Sequence, residues 1–270
     1  MNKLIPGPRF ANRPEGKPQL VLTDIDNTLL PNESRDLPNE TLTNAFREAA
    51  RKLPIGVVTA RPSQSSLYLL DHLRLTGPSI FSNGAQIYDG KTKKIIVEYS
   101  MLHEITKEII TELTKQTVSF WIQDNGTDYP SNTLTDYTPD KPFIIVVNRV
   151  TKDLAEKTIT FMTKYDNQNI HAFIAHEYTN ERWETVYDVF VADKRANKAT
   201  ALHEISQRTG VPLSHFMAIG DGHNDKVLLE NAGWAIAMGN AVPEVKRVAT
   251  FIAPSREENG AAVAIKELID

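Results

Sequence analysis

The sequence predicts an α/β fold, in which a Rossmann-like parallel sheet with helices on both faces is interrupted by an inserted α+β domain. Short β-branched runs alternate with helical stretches near both ends of the chain. The middle third has a different pattern, with about five candidate strands for two helices. A chain of 270 residues is long for one compact domain and comfortable for two.

The first part of the chain contains the start of the predicted sheet. Residues 1–18 include four prolines and no periodic pattern, so they are expected to form an N-terminal tail or a surface strap. From Gln19 the pattern predicts strands at 20–23, 55–59 and from Ile80, with helices at 39–52 and 64–73 between them. Residues 19–88 are therefore assigned to the core domain.

The pattern changes at about Asp89. Candidate strands lie at 95–99, 117–122, 143–150, 170–175 and 184–191, and candidate helices at 103–115 and 152–165. This composition favours a largely antiparallel sheet with two helices. Residues 89–188 are therefore predicted to be an inserted domain of about 100 residues, which is an ordinary domain size.

The α/β alternation returns in residues 189–270, which complete the predicted core. Helices are expected at 198–208, 225–230, 243–248 and 260–268, and strands at 216–219 and 235–238.

Composition narrows the possible functions. The chain has no cysteine, which excludes disulfides, thiol catalysis and thiolate metal sites. Its net charge of −4 argues against nucleic acid as the main partner. No apolar run approaches the roughly 20 residues of a membrane-spanning helix, and no signal peptide is evident. A cytoplasmic protein without nucleic-acid or membrane partners is expected, and the sequence does not indicate its oligomeric state.

Two carboxylates, Asp24 and Asp26, follow the first predicted strand. Ligands of α/β sheets bind beyond the carboxyl ends of the strands, so these side chains stand where chemistry is expected. A simple turn or a calcium loop is the alternative, because Asp-x-Asp-x-Thr resembles the start of an EF-hand. The absence of glycine at the sixth position, and Arg35 at the twelfth, argue against a calcium loop.

A second acidic loop, with Asp221 and Asp225, follows the strand predicted at 216–219. Four carboxylates at neighbouring strand ends repel one another unless a cation is present. Carboxylate oxygens combined with a substrate phosphate suit Mg²⁺. The sequence therefore predicts a Mg²⁺ site.

Thr59 and Lys198 complete the candidate site. Thr59 ends a predicted strand just before Pro62, at a helix start that is suited to binding phosphate. Lys198 begins a predicted helix, where its charge would neutralise a phosphoryl oxygen. A capping threonine and a solvated lysine are the alternatives, and neither residue is decisive alone.

These four signals, in this order, resemble the haloacid dehalogenase-like superfamily of phosphotransferases. The segment from Asp24 to Thr28 matches its first motif, Thr59 its second, Lys198 its third, and 220–225 its fourth. The stretches at 82–87 and 237–245 further resemble the Cof-type branch, which carries a C2-type cap inserted after the third core strand. Asn27 replaces a glycine that is usual in the first motif, and Asn tolerates the left-handed backbone nearly as well.

The resemblance implies a Mg²⁺-dependent phosphatase that acts through an aspartyl-phosphate. Asp24 would be the nucleophile and Asp26 the general acid and base. The metal would be bound by Asp24, the carbonyl of Asp26 and Asp221, with Asn224 and Asp225 orienting these ligands. Thr59 and Lys198 would stabilise the transferring phosphoryl group. The substrate, a small phosphorylated metabolite such as a sugar phosphate, would contact Thr59, Ala60, Arg61, Asn83, Gly84 and Lys198.

Two other functions fit the same residues. A sugar-phosphate mutase would return the phosphate to another hydroxyl and would need a cationic clamp, but the cations of the inserted domain, such as Arg149, Lys152 and Arg182, are scattered in the sequence. A non-catalytic sugar-phosphate sensor would normally have lost its nucleophile or acid, and both Asp24 and Asp26 are present.

Overall fold

The computed structural model describes residues 3–116, 118–180 and 182–269. The chain divides into two compact units. The first combines residues up to Val97 with those from Lys198 onward, and the second is Glu98–Asn197.

The strands are β1 (Ile5–Pro6), β2 (Leu20–Thr23), β3 (Ile55–Val57), β4 (Pro78–Phe81), β5 (Gln86–Asp89), β6 (Lys94–Glu98), β7 (Phe120–Asp124), β8 (Thr127–Pro130), β9 (Pro142–Val150), β10 (Ile170–Thr179), β11 (Thr185–Asp193), β12 (Phe216–Gly220), β13 (Trp234–Ala237) and β14 (Phe251–Ile252). The α-helices are α1 (Glu40–Ala49), α2 (Leu67–Leu73), α3 (His103–Lys115), α4 (Lys152–Met162), α5 (Lys198–Thr209), α6 (Lys226–Asn231), α7 (Pro243–Arg247) and α8 (Gly260–Ile269).

The main sheet of the first unit has the strand order β1-β14-β13-β12-β2-β3. All pairs except β1–β14 are parallel, which confirms the predicted α/β class. All four residues of β2 are buried, as expected for a strand in the middle of a parallel sheet. Thr23 lies beside Val57 on one side and Ile219 on the other, so the loops after β2, β3 and β12 begin at one edge.

A three-stranded sheet, β4-β5-β6, also belongs to this unit. It is linked to the main sheet by an isolated bridge between Val58 and Ile80. The sequence assigned β6 to the inserted domain, which was expected to begin at residue 89 and end at 188. The structure divides the units at Val97 and Lys198 instead. The first border lies later because β6 pairs with β5, and the second because β11 continues in its sheet to Asp193.

The N-terminal segment lies on the first unit as a strap rather than as a separate tail, which is the second of the two predicted alternatives. β1 pairs with β14 at the edge of the main sheet. The guanidinium of Arg9 donates hydrogen bonds to the carbonyls of Leu229 (3.0 Å) and Val248 (3.1 Å), near the C-terminal ends of α6 and α7. Main-chain pairing and carbonyl capping fix this segment, and neither leaves an apolar pattern in the sequence.

The second unit has an antiparallel sheet of order β10-β11-β9-β7-β8. One face of the sheet packs against α3 and α4 around a separate hydrophobic core. Ile109 and Leu113 of α3, four residues apart, supply one side of that core, and Ile145 and Val147 of β9, two apart, supply the other. In the described part of the chain, no helix is both long and apolar enough to cross a membrane.

Candidate active site

Three acidic side chains lie together at the carboxyl edge of the main sheet. Asp24 follows β2, where its main-chain N–H donates to the carbonyl of Ile219 in β12 (2.8 Å). Asp221 and Asp225 lie in the loop after β12. Each of the three offers a carboxylate oxygen within 4.8 Å of the other two. Adjacent parallel strands thus bring together carboxylates that are almost 200 positions apart in the sequence.

Lys198, at the first turn of α5, is buried beside these acids. Its Nζ lies 2.6 Å from Oδ1 of Asp225 and 3.6 Å from Oδ1 of Asp24. Its side chain is only 1% exposed, which rejects the alternative of a solvated lysine. A buried lysine requires anionic neighbours, so Lys198 and the acids hold one another in place.

The acidic cluster carries more negative charge than Lys198 balances. Burial, followed by the charge of Asp225, raises the pKa of Asp24 well above its usual range, although Lys198 opposes this. Burial and the charge of Asp225 also raise the pKa of Asp221, to about 7. The pKa of Lys198 is raised, because its acidic neighbours outweigh the effect of burial. A further positive charge would therefore favour the ionised forms of Asp24 and Asp221 at neutral pH.

The carboxylate cluster and its hydrogen bonds suit a small divalent cation. Oδ1 of Asp221 accepts a hydrogen bond from the hydroxyl of Thr28 (3.0 Å). Oδ2 of Asp225 accepts the main-chain N–H groups of Asp221 (3.1 Å) and Gly222 (3.0 Å). All-oxygen donors of this kind are the ligands that Mg²⁺ prefers.

Asp225 is more central than expected. It was predicted to orient the ligands from outside, but it forms the closest contact with Lys198 and belongs to the carboxylate cluster. Asn224 is half-buried in the same one-turn helix, His223–Asp225, and its amide oxygen lies beside Gly222. His223, the first residue of that helix, is exposed.

The carboxylate of Asp26 lies apart from the cluster. It accepts hydrogen bonds from Nε (2.9 Å) and Nη2 (2.6 Å) of Arg61, and from the main-chain N–H of Glu33 (2.7 Å). Arg61 is a predicted substrate contact, and in the structure its guanidinium is paired with the predicted general acid. Residues 35 positions apart give no sequence signal of such a pair.

Thr59, Ala60 and Arg61 form the loop after β3. Thr59 is fully buried, and its hydroxyl accepts the main-chain N–H of Arg61 (3.1 Å). The carbonyls of Thr59 and Arg61 accept the N–H groups of Asn83 (3.0 Å) and Ser82 (2.9 Å). The loop that contains Asn83 and Gly84 is thus joined to the Thr59 loop by two main-chain hydrogen bonds.

Residues with left-handed backbone (positive φ) occur both in the loop after β2 and in the loop that contains Asn83 and Gly84. Asn27 has φ of 57°, as its place in a glycine position predicts. Ser82, Asn83 and Gly84 have φ of 50°, 53° and 109° in succession, and all three are buried. Such backbone costs on the order of 1 kcal/mol or more per residue other than glycine, and it accumulates at functional sites.

The contributions of Thr28, Glu33 and Ser34 were missed by sequence reasoning. Thr28 lies inside the first motif, so that motif could have indicated its hydrogen bond to Asp221. Glu33 contributes only a main-chain N–H and Ser34 only a carbonyl, which accepts a hydrogen bond from Nη1 of Arg61 (2.7 Å). Side-chain patterns do not report main-chain donors and acceptors.

Comparison with known proteins places this arrangement in a family. The sequence profile of the haloacid dehalogenase-like hydrolases matches residues 21–265. The 5-amino-6-(5-phospho-D-ribitylamino)uracil phosphatase YitU of Bacillus subtilis is 26% identical, over 94% of this chain and 98% of its own.

Solved structures show the same fold. A haloacid dehalogenase-like hydrolase from Bacteroides thetaiotaomicron superposes with a TM-score of 0.77 at 20% identity, covering 93% of this chain and 99% of its own. The subclass IIB sugar phosphatase BT4131 has a TM-score of 0.72 at 21% identity, covering 92% and 98%.

Proposed function

The chain belongs to the haloacid dehalogenase-like hydrolases and is a phosphoric monoester hydrolase, and we propose that it releases phosphate from a small phosphorylated metabolite by way of an aspartyl-phosphate on Asp24. The observation that carries this proposal is the pairing of a buried carboxylate, Asp24, with a buried cation, Lys198, at the carboxyl edge of the sheet.

The proposal includes a Mg²⁺ ion. Asp24, Asp221 and the carbonyl of Asp26 would hold it, with Asp225 and Asn224 supporting them. When bound, Mg²⁺ supplies the positive charge that keeps the carboxylates ionised and screens the nucleophile from the phosphate. The raised pKa values of Asp24 and Asp221 support this assignment, because burial and the charge of Asp225 disfavour the ionised carboxylates and a bound cation would favour them.

The proposed reaction has two steps. A carboxylate oxygen of Asp24 attacks phosphorus, and the bond to the ester oxygen breaks as Asp26 gives that oxygen a proton. A water molecule then attacks phosphorus, Asp26 takes its proton, and the bond to Asp24 breaks to release inorganic phosphate. Lys198 and the Thr59 hydroxyl stabilise the equatorial oxygens in both steps.

The proposed substrate is a phosphorylated sugar or sugar alcohol. Two similar proteins are named for such compounds: YitU for a phosphoribitylamino-uracil and BT4131 for sugar phosphates. We propose further that the second unit, Glu98–Asn197, is the inserted cap and determines which ester is accepted. Its sheet and hydrophobic core are distinct from those of the first unit, which supports a separate role.

The test is a phosphate-release screen over sugar and sugar-alcohol phosphates, followed by chemical trapping. Rapid denaturation during turnover should leave a phosphoryl group on Asp24, visible by peptide mass spectrometry and removed by hydroxylamine. The Asp24→Asn protein should show neither phosphate release nor the adduct. A labelled phosphoryl group on any other residue would overturn the mechanism, and a rearranged sugar phosphate without free phosphate would instead establish a mutase.

A further inference from the structure

The pair between Arg61 and Asp26 has an unusually specific geometry. Nε of Arg61 faces Oδ2 of Asp26 and Nη2 faces Oδ1, so two parallel hydrogen bonds join the guanidinium to the carboxylate. The side chains are 12% and 26% exposed. A fork-to-fork pair of this kind fixes the plane of the carboxyl group as well as its position.

Arg61 is itself anchored at three points. Nη1 donates to the carbonyl of Ser34, the main-chain N–H donates to the hydroxyl of Thr59, and the carbonyl accepts the N–H of Ser82. Ser82 begins the left-handed turn described above. The N–H group that the carbonyl of Arg61 accepts therefore belongs to a residue with an unfavourable backbone conformation. An arginine fixed at its side chain and at both main-chain groups is suited to holding another residue still.

The loop that carries Asp26 is fixed by the same arginine. Glu33, which has φ of 57°, donates its N–H to Oδ1 of Asp26, and the neighbouring Ser34 carbonyl binds Arg61. Arg61 thus connects the start of this loop at Asp26 to its end at Ser34. Among the described residues, removal of the guanidinium leaves the carboxylate of Asp26 with the hydrogen bond from the N–H of Glu33.

We propose that Arg61 is a positioning residue that aligns Asp26 for proton transfer, rather than a contact for the substrate. This inference rests on the proposed phosphatase reaction, in which Asp26 gives a proton to the leaving oxygen and later takes one from water. Both transfers require the carboxyl group to lie within hydrogen-bond reach of the reacting oxygen. A displacement of about 1 Å is enough to cost on the order of 10²-fold in rate.

The proposal predicts a particular kinetic pattern for Arg61→Ala. With an alkyl phosphate that the wild type hydrolyses, the rate of enzyme phosphorylation should fall by roughly 30- to 100-fold, while KM changes by less than about threefold. With p-nitrophenyl phosphate, whose leaving group needs little protonation, the burst rate should fall by less than about fivefold. Arg208→Ala, which removes an exposed arginine paired with Glu204, is the matched control and should leave both rates unchanged.

A substrate contact gives the opposite pattern. If Arg61 bound the phosphate or the sugar, KM would rise for both esters and the phosphorylation rate would not depend on the leaving group. That result, or equal losses of phosphorylation rate for both esters, would overturn the proposal.

The conservative variant separates geometry from charge. Arg61→Lys keeps the positive charge but has no planar fork, so its rate with the alkyl phosphate should stay within about threefold of that of Arg61→Ala. Added guanidinium ion should partly restore that rate in Arg61→Ala, and it should not affect Arg61→Lys. Full activity of Arg61→Lys would show that charge alone is required and would reject the positioning role.

A measurement without turnover tests the pair between Arg61 and Asp26 independently of the reaction. In ¹⁵N spectra of the wild type, the guanidinium of Arg61 should give separate, slowly exchanging Nη–H signals because its rotation is blocked by the pair. Asp26→Asn should collapse these signals and leave those of Arg208 unchanged. Unchanged Arg61 signals in Asp26→Asn would overturn the pair. If the wild type hydrolyses no phosphate ester but the spectra behave as expected, the proposed function fails and the pair remains.

Discussion

The buried acidic side chains of the two units have different surroundings. In the first unit, Asp24, Asp221 and Asp225 lie beside one lysine, and burial, followed by the charge of Asp225, raises the pKa of Asp24 and that of Asp221. In the second, the buried Asp124 accepts hydrogen bonds from the hydroxyl of Tyr137 and from the N–H groups of Asp140 and Lys141. The second arrangement satisfies its charge and stabilises a loop, whereas the first leaves charge available for a ligand.

Asp193, also in the second unit, differs from the acids of the first unit in the same way. Its carboxylate is 5% exposed and accepts three hydrogen bonds from Arg195, through the main-chain N–H, Nε and Nη2. Although burial alone would raise its pKa, these bonds lower it below the usual value. An acid with a lowered pKa stabilises the fold, and acids with raised pKa values mark a site where stability is given up for function.

The largest expected difference between the units comes from replacing one buried aspartate of each unit by asparagine. Asp24→Asn should reduce phosphate release by at least about 10⁴-fold while the protein stays folded, because the nucleophilic carboxylate is lost and the side chain keeps its size. Asp124→Asn should leave kcat of the folded protein unchanged and lower the free energy of unfolding by about 1–3 kcal/mol, because charge-assisted hydrogen bonds are weakened. Steady-state kinetics and urea denaturation of both variants are the measurements. Comparable activity of the two variants would remove the distinction between the units.

The next largest effect concerns the cation of each cluster. Lys198→Met should reduce kcat by about 10²–10³-fold, because the charge that stabilises the phosphoryl oxygens is removed. Arg195→Met should leave kcat unchanged and lower the free energy of unfolding by about 1 kcal/mol, since its guanidinium is half-exposed. The same assays apply. Retention of more than a tenth of kcat in Lys198→Met would place the essential cation elsewhere.

The pH dependence of stability should differ in sign between the units when Mg²⁺ is removed by a chelator. In the first unit, the pKa of Asp221 is about 7 and that of Asp24 is raised, so the folded state binds more protons than the unfolded state between about pH 4 and 7. Stability of this unit should therefore fall as the pH rises through that window. Mg²⁺ should reverse the decline, because it favours the ionised carboxylates.

In the second unit, burial lowers the pKa of His171, and Arg195 lowers that of Asp193. Here the unfolded state binds more protons, so stability should rise with pH, up to about 6.5 through His171 and at more acidic pH, up to about 3.9, through Asp193. Hydrogen exchange followed by peptide mass spectrometry at pH 5 and pH 7 resolves the two units, after correction for the intrinsic exchange rate. Parallel changes in both units would contradict the contrast.

The smallest effect is expected at Trp183, in the second unit. This side chain is 89% exposed and its backbone has φ of 61°, a conformation that glycine adopts at lower cost. Trp183→Gly should change the free energy of unfolding by less than about 1 kcal/mol, with stabilisation as the expected direction. Thermal denaturation measures this change. Destabilisation by more than about 2 kcal/mol would show that the indole makes contacts the structure does not contain.

The sequence predicted the secondary structure of the second unit well and its borders poorly. Helix α3 has the predicted bounds, because its apolar residues recur at helical spacing between polar ones. The borders lie later than predicted because β6 pairs with β5 and β11 stays paired with β10 to Asp193, and main-chain pairing is independent of side-chain pattern. The same reason explains why the pairing of β1 with β14 was not predicted for residues 1–18, which were expected to be a tail or a surface strap.

By itself, the sequence determined the α/β class and the residues of the acidic cluster, because buried strands followed by polar loops leave a local signal. Only the tertiary structure decided how those residues are paired: Lys198 with Asp225, and Arg61 with Asp26. These pairs join residues 27 and 35 positions apart. Their formation depends on the order of strands in the sheet and on main-chain groups such as the Ser34 carbonyl, and neither is encoded in the local pattern of side chains.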